Sequence, residues 1–383
     1  MKKSIFYLLL LAFALLPGIS AAATKYWIGS AGGAFSTAAN WTTTAGSACG
    51  VNANTTAPGA GDIAAFVSDC TNSAVISGAA SVAGINMAAG SLTQNTGQSP
   101  TLTVGASGFT QSGGSFTGGN TAISLGGLDI SGGSFTSTSG TLTMGGNFSL
   151  SSGTFSHNNG TFKFFYNAAS QALSFSGTQS LYNVTVGGGA NSYSNTLTLA
   201  GGTTLTVKGT LSFAGLVVAP DIINGGAIIA EGDLIQSTYG TTGSTVVTVA
   251  GSGTQTLTGG GGVTANLPPL IINKPAGTLT LVGTITTLNN WTYIAGTLDA
   301  GTSTLKFFKS NSMDNSLTLS GTQSLYNVTV GGGASSHSNT LTLAGGTTLT
   351  VKGTLSFAGL VVSPDIINGG AIIAEGDLIQ GAY

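Results

Sequence analysis

The close carboxylates of this 383-residue chain lie in the stretch APDIINGGAIIAEGDLIQ, as Asp221, Glu231 and Asp233, and they recur in a second copy of that stretch as Asp365, Glu375 and Asp377. Two carboxylates flanking a glycosidic bond, roughly 5 to 10 Å apart, are what a glycoside hydrolase needs. Glu231 and Asp233 are two residues apart, so on a strand they would share a face. The competing reading makes them solvent-facing acids beside a bend at Gly232, since the surrounding stretch brings no other polar group to them.

The remaining chemistry-bearing residues are sparse. A polysaccharide lyase would need several acids holding Ca²⁺ and commonly an Arg base, and the chain has no Arg. His157 and His337 sit among Ser and Asn with no acid or nucleophile close in sequence, which suggests exposed side chains, and His337 stands where the other copy has Tyr193. The Gly-Gly-x-Gly-x-Asp nonapeptide of calcium-binding solenoids is absent, so neither a metal nor a cofactor is expected. In FKFFY (residues 162–166) and LKFFK (residues 305–309), inward-facing Phe164 and Phe307 would leave Phe165 and Phe308 outside next to a Lys. Those two rings are candidate contacts for surface glycans or other cell-surface proteins; the alternative is packing under a corner loop. Thr-x-Thr units such as Thr196/Thr198 and Thr204/Thr206 would form hydroxyl rows like those of ice-binding solenoids, or simply reflect the strand propensity of Thr.

Lys2 and Lys3 precede an apolar run of 12 residues that ends in small residues at Ala21, Ala22 and Ala23, the pattern of a secretory signal. The run is too short to span a bilayer, so the mature chain is expected to be exported, with no membrane span. Without the signal there remain 7 Lys, no Arg and 11 acids, a net charge of −4. Such a surface cannot neutralise phosphates, which excludes nucleic acid as a partner. Only 5% of the chain is charged and 41% is hydrophobic, so it folds despite 62 Gly. Cys49 and Cys70 lie close together in an exported chain, and a disulfide is the natural reading. Two Cys without a nearby His supply too few ligands for a closed zinc site.

The elements that must position these residues are read from two periods. Residues 176–239 and 320–383 align over 64 positions with five differences, and a weaker match extends upstream, pairing residues 153–165 with 296–308. Within the unit, rows of about 20 residues restate one theme, placing Phe116, Phe135 and Phe155 at equivalent points, and about 20 residues is one solenoid coil. Each row divides into four- or five-residue alternating strands separated by Gly-Gly, Gly-Ser or Asn-Gly corners. The expected fold is all-β: a single-stranded right-handed parallel β-helix, or β-solenoid, with an N-terminal cap. Tandem β-sandwich modules are the alternative. Leu181, Val184, Leu197 and Leu199 are expected in the inner stack, with residues 187–189 as a corner. If the repeated unit is a whole number of coils, it comprises about seven.

Residues 25–66 differ in character and contain Trp27, Gly29, Asn40, Trp41, Pro58, Gly59, Asp62 and Phe66 in a Trp-x-Gly, Asn-Trp, Pro-Gly-x-x-Asp-x-x-x-Phe arrangement. This resembles the opening module of bacterial exported right-handed parallel β-helix proteins of the surface and adhesin-like repeat class. The later LYNVTV and NTLTLAGGTTLTVKGTLSFAG segments resemble the repeat body of the same proteins. The resemblance implies residues 1–23 as signal peptide, 24–73 as cap module and 74–383 as solenoid. It further implies an extracellular or cell-surface structural or adhesin-like protein without catalytic activity. The other functions considered are a carbohydrate-active enzyme, polysaccharide lyase or glycoside hydrolase, on the same fold, and an ice-binding solenoid. Full-length members carry a sorting signal, anchor or translocator, none of which is seen here, so either release or a chain continuing past Tyr383 is expected.

Overall fold

Alternating Thr-Leu-Thr-Val segments favour strands because β-branched side chains fit a pleated surface and put every second residue on the same side. A computed structural model describes residues 22–53, 56–164, 171–175, 178–187, 196–214, 221–262, 266–307, 315–331, 339–358 and 366–381. Residues 1–21 of the expected signal segment, Phe165, Phe308, His337, Asp365 and Tyr383 lie outside them. The chain is a parallel β-solenoid of about 12 turns. Among the described residues the one helical element is a short 3₁₀ turn, Ala38–Asn40.

Each typical turn lays one short strand on each of three faces. Asn183–Gly187, Thr196–Leu199 and Thr204–Val207 are followed by Leu211–Ala214, which returns to pair in parallel with Asn183–Gly187. On this first face Leu102, Ile123, Leu142, Phe162, Val184, Leu211, Leu234 and Leu257 lie in register one above another. All are buried, as are the expected stack residues Leu181, Leu197 and Leu199. Phe116, Phe135 and Phe155 stack as read from the sequence, with ring centroids 4.7 and 5.8 Å apart.

The turns must approach one another closely at their corners, and glycine permits it. A Cβ on Gly126 would run into the Gly105 carbonyl, and one on Gly146 into the Gly126 carbonyl. The turn length is less uniform than the 20-residue period suggested. Gly119 and Thr138, in contact on adjacent turns, are 19 residues apart, whereas Asn183 and Thr210 are 27 apart. The greater length leaves the pairing of the turn's strands intact.

At the N-terminal end Thr24–Trp27 pairs antiparallel with Trp41–Thr42 and parallel with Ile63–Phe66. Trp27, Phe35, Trp41 and Phe66 form one buried aromatic cluster with centroid separations of 4.9 to 5.9 Å. The Trp41 indole N–H donates to the Phe35 carbonyl at 2.7 Å. The Cys49–Cys70 disulfide ties the cap loop to this cluster. Lys25 pairs with Asp62 at 3.0 Å and donates to Thr56 Oγ1 and the Ala57 carbonyl. Burial pushes the Asp62 carboxyl up, but the Gly59 amide and Lys25 together outweigh it, so its pKa lies below the ordinary carboxylate value.

The duplicated unit is not a whole number of coils. Strands on the third face pair in unbroken succession from Thr178–Leu181 through Thr204–Val207, Ala227–Ala230, Val246–Val249 and the long strand Leu270–Thr287 to Trp291–Asp299 and then Asn315–Ser320. The counterpart of Thr178–Leu181 in the second copy is Gln323–Leu325, which comes one strand after Asn315–Ser320 and starts a separate sheet with Thr348–Val351 and Ala371–Ala374. The repeat therefore advances the winding by six turns plus one face, rather than seven turns. Identical residues of the two copies occupy neighbouring faces of the solenoid.

Deleting residues 176–319 places residue 320 after Phe175, where it meets the same preceding coils as residue 176 does now. The shortened protein is expected to keep its β-content per residue and to be shorter by about 30 Å at about 4.8 Å per turn. Small-angle scattering measures this; aggregation, or a length change unrelated to turn spacing, would contradict the winding.

Candidate functional site

The structure does not bring the three acids of the first copy together in one cleft. Asp221 begins the strand Asp221–Asn224 on the second face and is wholly buried. Glu231 and Asp233 flank the bend at Gly232, at the corner between the third and first faces, and neither stands on a strand. Glu231 accepts from Lys208 Nζ on the preceding turn at 2.7 and 2.9 Å. Both partners of this pair are more than a third exposed, so it contributes little to stability. Asp365 lies outside the described residues, while Glu375 and Asp377 are exposed on the corresponding turn of the second copy.

Asp233 belongs to a series that the sequence reading missed. Its Oδ1 accepts the Thr256 N–H of the next turn at 2.8 Å. Asn183 does the same for Thr210, Asn290 for Thr318 and Asn327 for Thr354, each at 2.8 Å, and Asn147 does so for Ala172 at 2.9 Å. A short Asn or Asp side chain at a corner reaches the amide that the bend takes out of the strand ladder, satisfying a donor that would otherwise be unpaired. The available signal was the Asn or Asp immediately before the apolar start of a strand, as in Asn183-Val184, Asp233-Leu234 and Asn290-Trp291.

A second polar feature runs through the interior. Lys274 is 1% exposed, and its Nζ donates to the Gly251 carbonyl, the Gly253 carbonyl and Gln255 Oε1 at 2.6, 2.9 and 2.5 Å. Gln255 passes the chain on, donating to the Gly232 and Ala230 carbonyls at 2.5 and 3.2 Å. Burial holds the Lys274 ammonium below its ordinary pKa. Gln94, Gln111 and Gln236 are likewise buried and donate to backbone carbonyls, as in the Gln94 bond to Pro100 at 2.7 Å. These bonds compensate the cost of taking polar groups out of water; the acceptors are mainly backbone carbonyls, joined by Gln255 Oε1 and Thr121 Oγ1.

A corner where aromatic and charged side chains meet is the stripe His157, Tyr182, Lys208 and Glu231, one residue from each of four consecutive turns. The His157 ring stacks on Tyr182 with centroids 5.8 Å apart and planes at 28°. His157 is half-buried rather than fully solvent-exposed, and its Nδ1 accepts the Asn159 N–H at 3.0 Å. Burial lowers its pKa and the Lys208 charge lowers it further. The second copy repeats the stripe as Ala300, Tyr326, Lys352 and Glu375, turned by one face. Among the described residues there is no group of three His, Cys, Asp or Glu able to hold a metal ion.

The outward Thr positions do not make an unbroken row. The first-face column reads Thr103, Ser124, Thr143, Lys163, Thr185, Ser212, Ile235, Thr258 and Val282. A Lys and two apolar residues interrupt it. No helix among the described residues is long and apolar enough to cross a membrane. No protein-family model, curated protein or solved structure matches the chain.

Because Asn does at position 183 what Asp does at 233, Asp233→Asn is expected to leave the melting temperature nearly unchanged. Asp233→Ala leaves the Thr256 amide without its acceptor and should cost about 1 kcal/mol. Chemical denaturation of both variants checks this, and an Asn variant as damaged as the Ala variant would show that the charge matters.

Proposed function

We propose that the protein is an exported structural or adhesin-like rod of the cell surface or extracellular space, without catalytic activity. The observation that supports this reading most strongly is how the polar groups of the first copy are engaged. Glu231 is held by Lys208, Asp233 clips one turn to the next and Asp221 is enclosed, so the three candidate carboxylates are engaged separately and do not converge on one cleft. A solenoid of this kind is a quasi-one-dimensional scaffold whose outer faces are available for contact along its length. Surface glycans or other cell-surface proteins are the partners such a rod would meet.

The reading is tested by expressing the full chain, following its location by protease shaving of intact cells and analysis of the medium, and offering the purified protein acidic and neutral polysaccharides. Recovery outside the cell with no cleavage is expected. Cleavage that disappears in the Glu231→Gln, Glu375→Gln double variant would replace this reading with that of a carbohydrate-active enzyme.

A further inference from the structure

The two copies of the corner stripe differ at one decisive position. In the first copy the His157 imidazole occupies the space between the turn ending at residue 160 and the turn carrying Tyr182, stacked on the tyrosine ring. In the second copy Ala300 replaces His157 and Gly301 replaces Asn158. A cavity of about 110 Å³ is found there, lined by Leu298, Asp299, Gly301, Ser324, Tyr326 and Lys352, together with Ala300. The tyrosine has also moved aside: Tyr326 leans over Gly353, whose added Cβ would lie 3.0 Å from its Cε1, whereas no ring atom of Tyr182 is among the near neighbours of Gly209.

The polar groups around the hollow also differ from those in the first copy. Lys208 is neutralised by Glu231, but no ion pair joins Lys352 to Glu375 among the described residues. The Ser180 hydroxyl is buried without a hydrogen-bond partner in the first copy, while its counterpart Ser324 opens onto the hollow. Asp299 lines the hollow and accepts the Gly301 N–H with one carboxylate oxygen at 3.0 Å. A carboxylate acceptor, an ammonium donor, a hydroxyl and a tyrosine ring around a space that its duplicate fills with a flat ring form a small site with convergent polar groups.

We propose that this second-copy corner binds a single neutral pyranose residue, its apolar ring face toward Tyr326 and its hydroxyls bonded to Asp299, Ser324 and Lys352. In the first copy the protein's own imidazole holds the equivalent place and excludes the sugar. The assignment deepens the adhesive reading by giving its ligand a class and rests on that reading for its biological meaning. Its binding test is independent of where the protein resides: failure of export would sink the surface-rod reading and leave the sugar site standing, and failure of binding would do the reverse.

The test titrates the full chain with methyl glucopyranoside, methyl galactopyranoside and methyl mannopyranoside, followed by saturation-transfer NMR and calorimetry. At least one is expected to bind at a single site with a dissociation constant on the order of 1 mM, as suits one sugar ring on an open surface. Ala300→His, which restores the first-copy plug, should weaken binding at least tenfold. Lys352→Met should weaken it without affecting the circular dichroism spectrum. His157→Ala alone should leave the stoichiometry at one, because Ser156 stands where Asp299 does and Lys208 stays paired with Glu231. Absence of binding by all three glycosides, or binding indifferent to Ala300→His and Lys352→Met, overturns the proposal. A stoichiometry of two in His157→Ala would show that neither Asp299 nor an unpaired Lys352 is needed and overturns the assignment of the sugar's partners.

Discussion

No turn of this solenoid can bury its own core. Each presents a row of apolar side chains and an edge of unpaired peptide groups, and only the neighbouring turn covers them. The sequence contains its own control for this constraint. Residues 223–236 and 367–380 are identical, yet Leu234 is 0% exposed beneath the turn containing Gln255–Gly260, and Leu378 is 65% exposed where no described turn lies against it. Burial at a given position is therefore a property of the pair of turns.

The other features of the molecule follow from the need to stack. Bare glycines at Gly126 and Gly146 let backbones close to turn spacing, and the Asn and Asp corner clips satisfy amides that the bends remove from the ladders. The Lys274–Gln255 chain supplies donors to interior carbonyls across successive turns. Stacking also explains why a duplication of six turns and one face is tolerated. What a turn requires of its neighbour is a strand of matching alternation, and all three faces offer one. The same residues can thus be displayed at two positions around the axis, and single differences such as His157 against Ala300 can give the two corners different contents.

Much of this architecture was legible in the sequence. Two-residue alternation, Gly corners and the equivalent placement of Phe116, Phe135 and Phe155 implied a parallel solenoid, because each states a local geometry that survives in the fold. The cap aromatics and the Cys49–Cys70 bond were legible for the same reason. The winding was not, since an average period of about 20 residues does not show that one turn takes 19 residues and another 27. The corner clips and the buried Lys274 were missed because their partners lie a full turn away. Of the site residues singled out, Glu231 and Asp233 flank the bend at Gly232, as the competing reading of the sequence had it, rather than sharing a strand face. Phe165 and Phe308 lie outside the described residues.

The most direct test of neighbour-supplied stability is amide hydrogen exchange in the 383-residue chain, comparing residues 223–236 with 367–380. Intrinsic exchange rates are the same for identical sequences, and peptides extending to Ser237 or Gly381 distinguish the copies. Amides around Ile228 and Leu234 should exchange at least about a hundredfold more slowly than those around Ile372 and Leu378, since local opening tracks the contacts that cover a segment. Equal protection of the two segments would show that a turn holds its structure without its neighbour and would contradict the account.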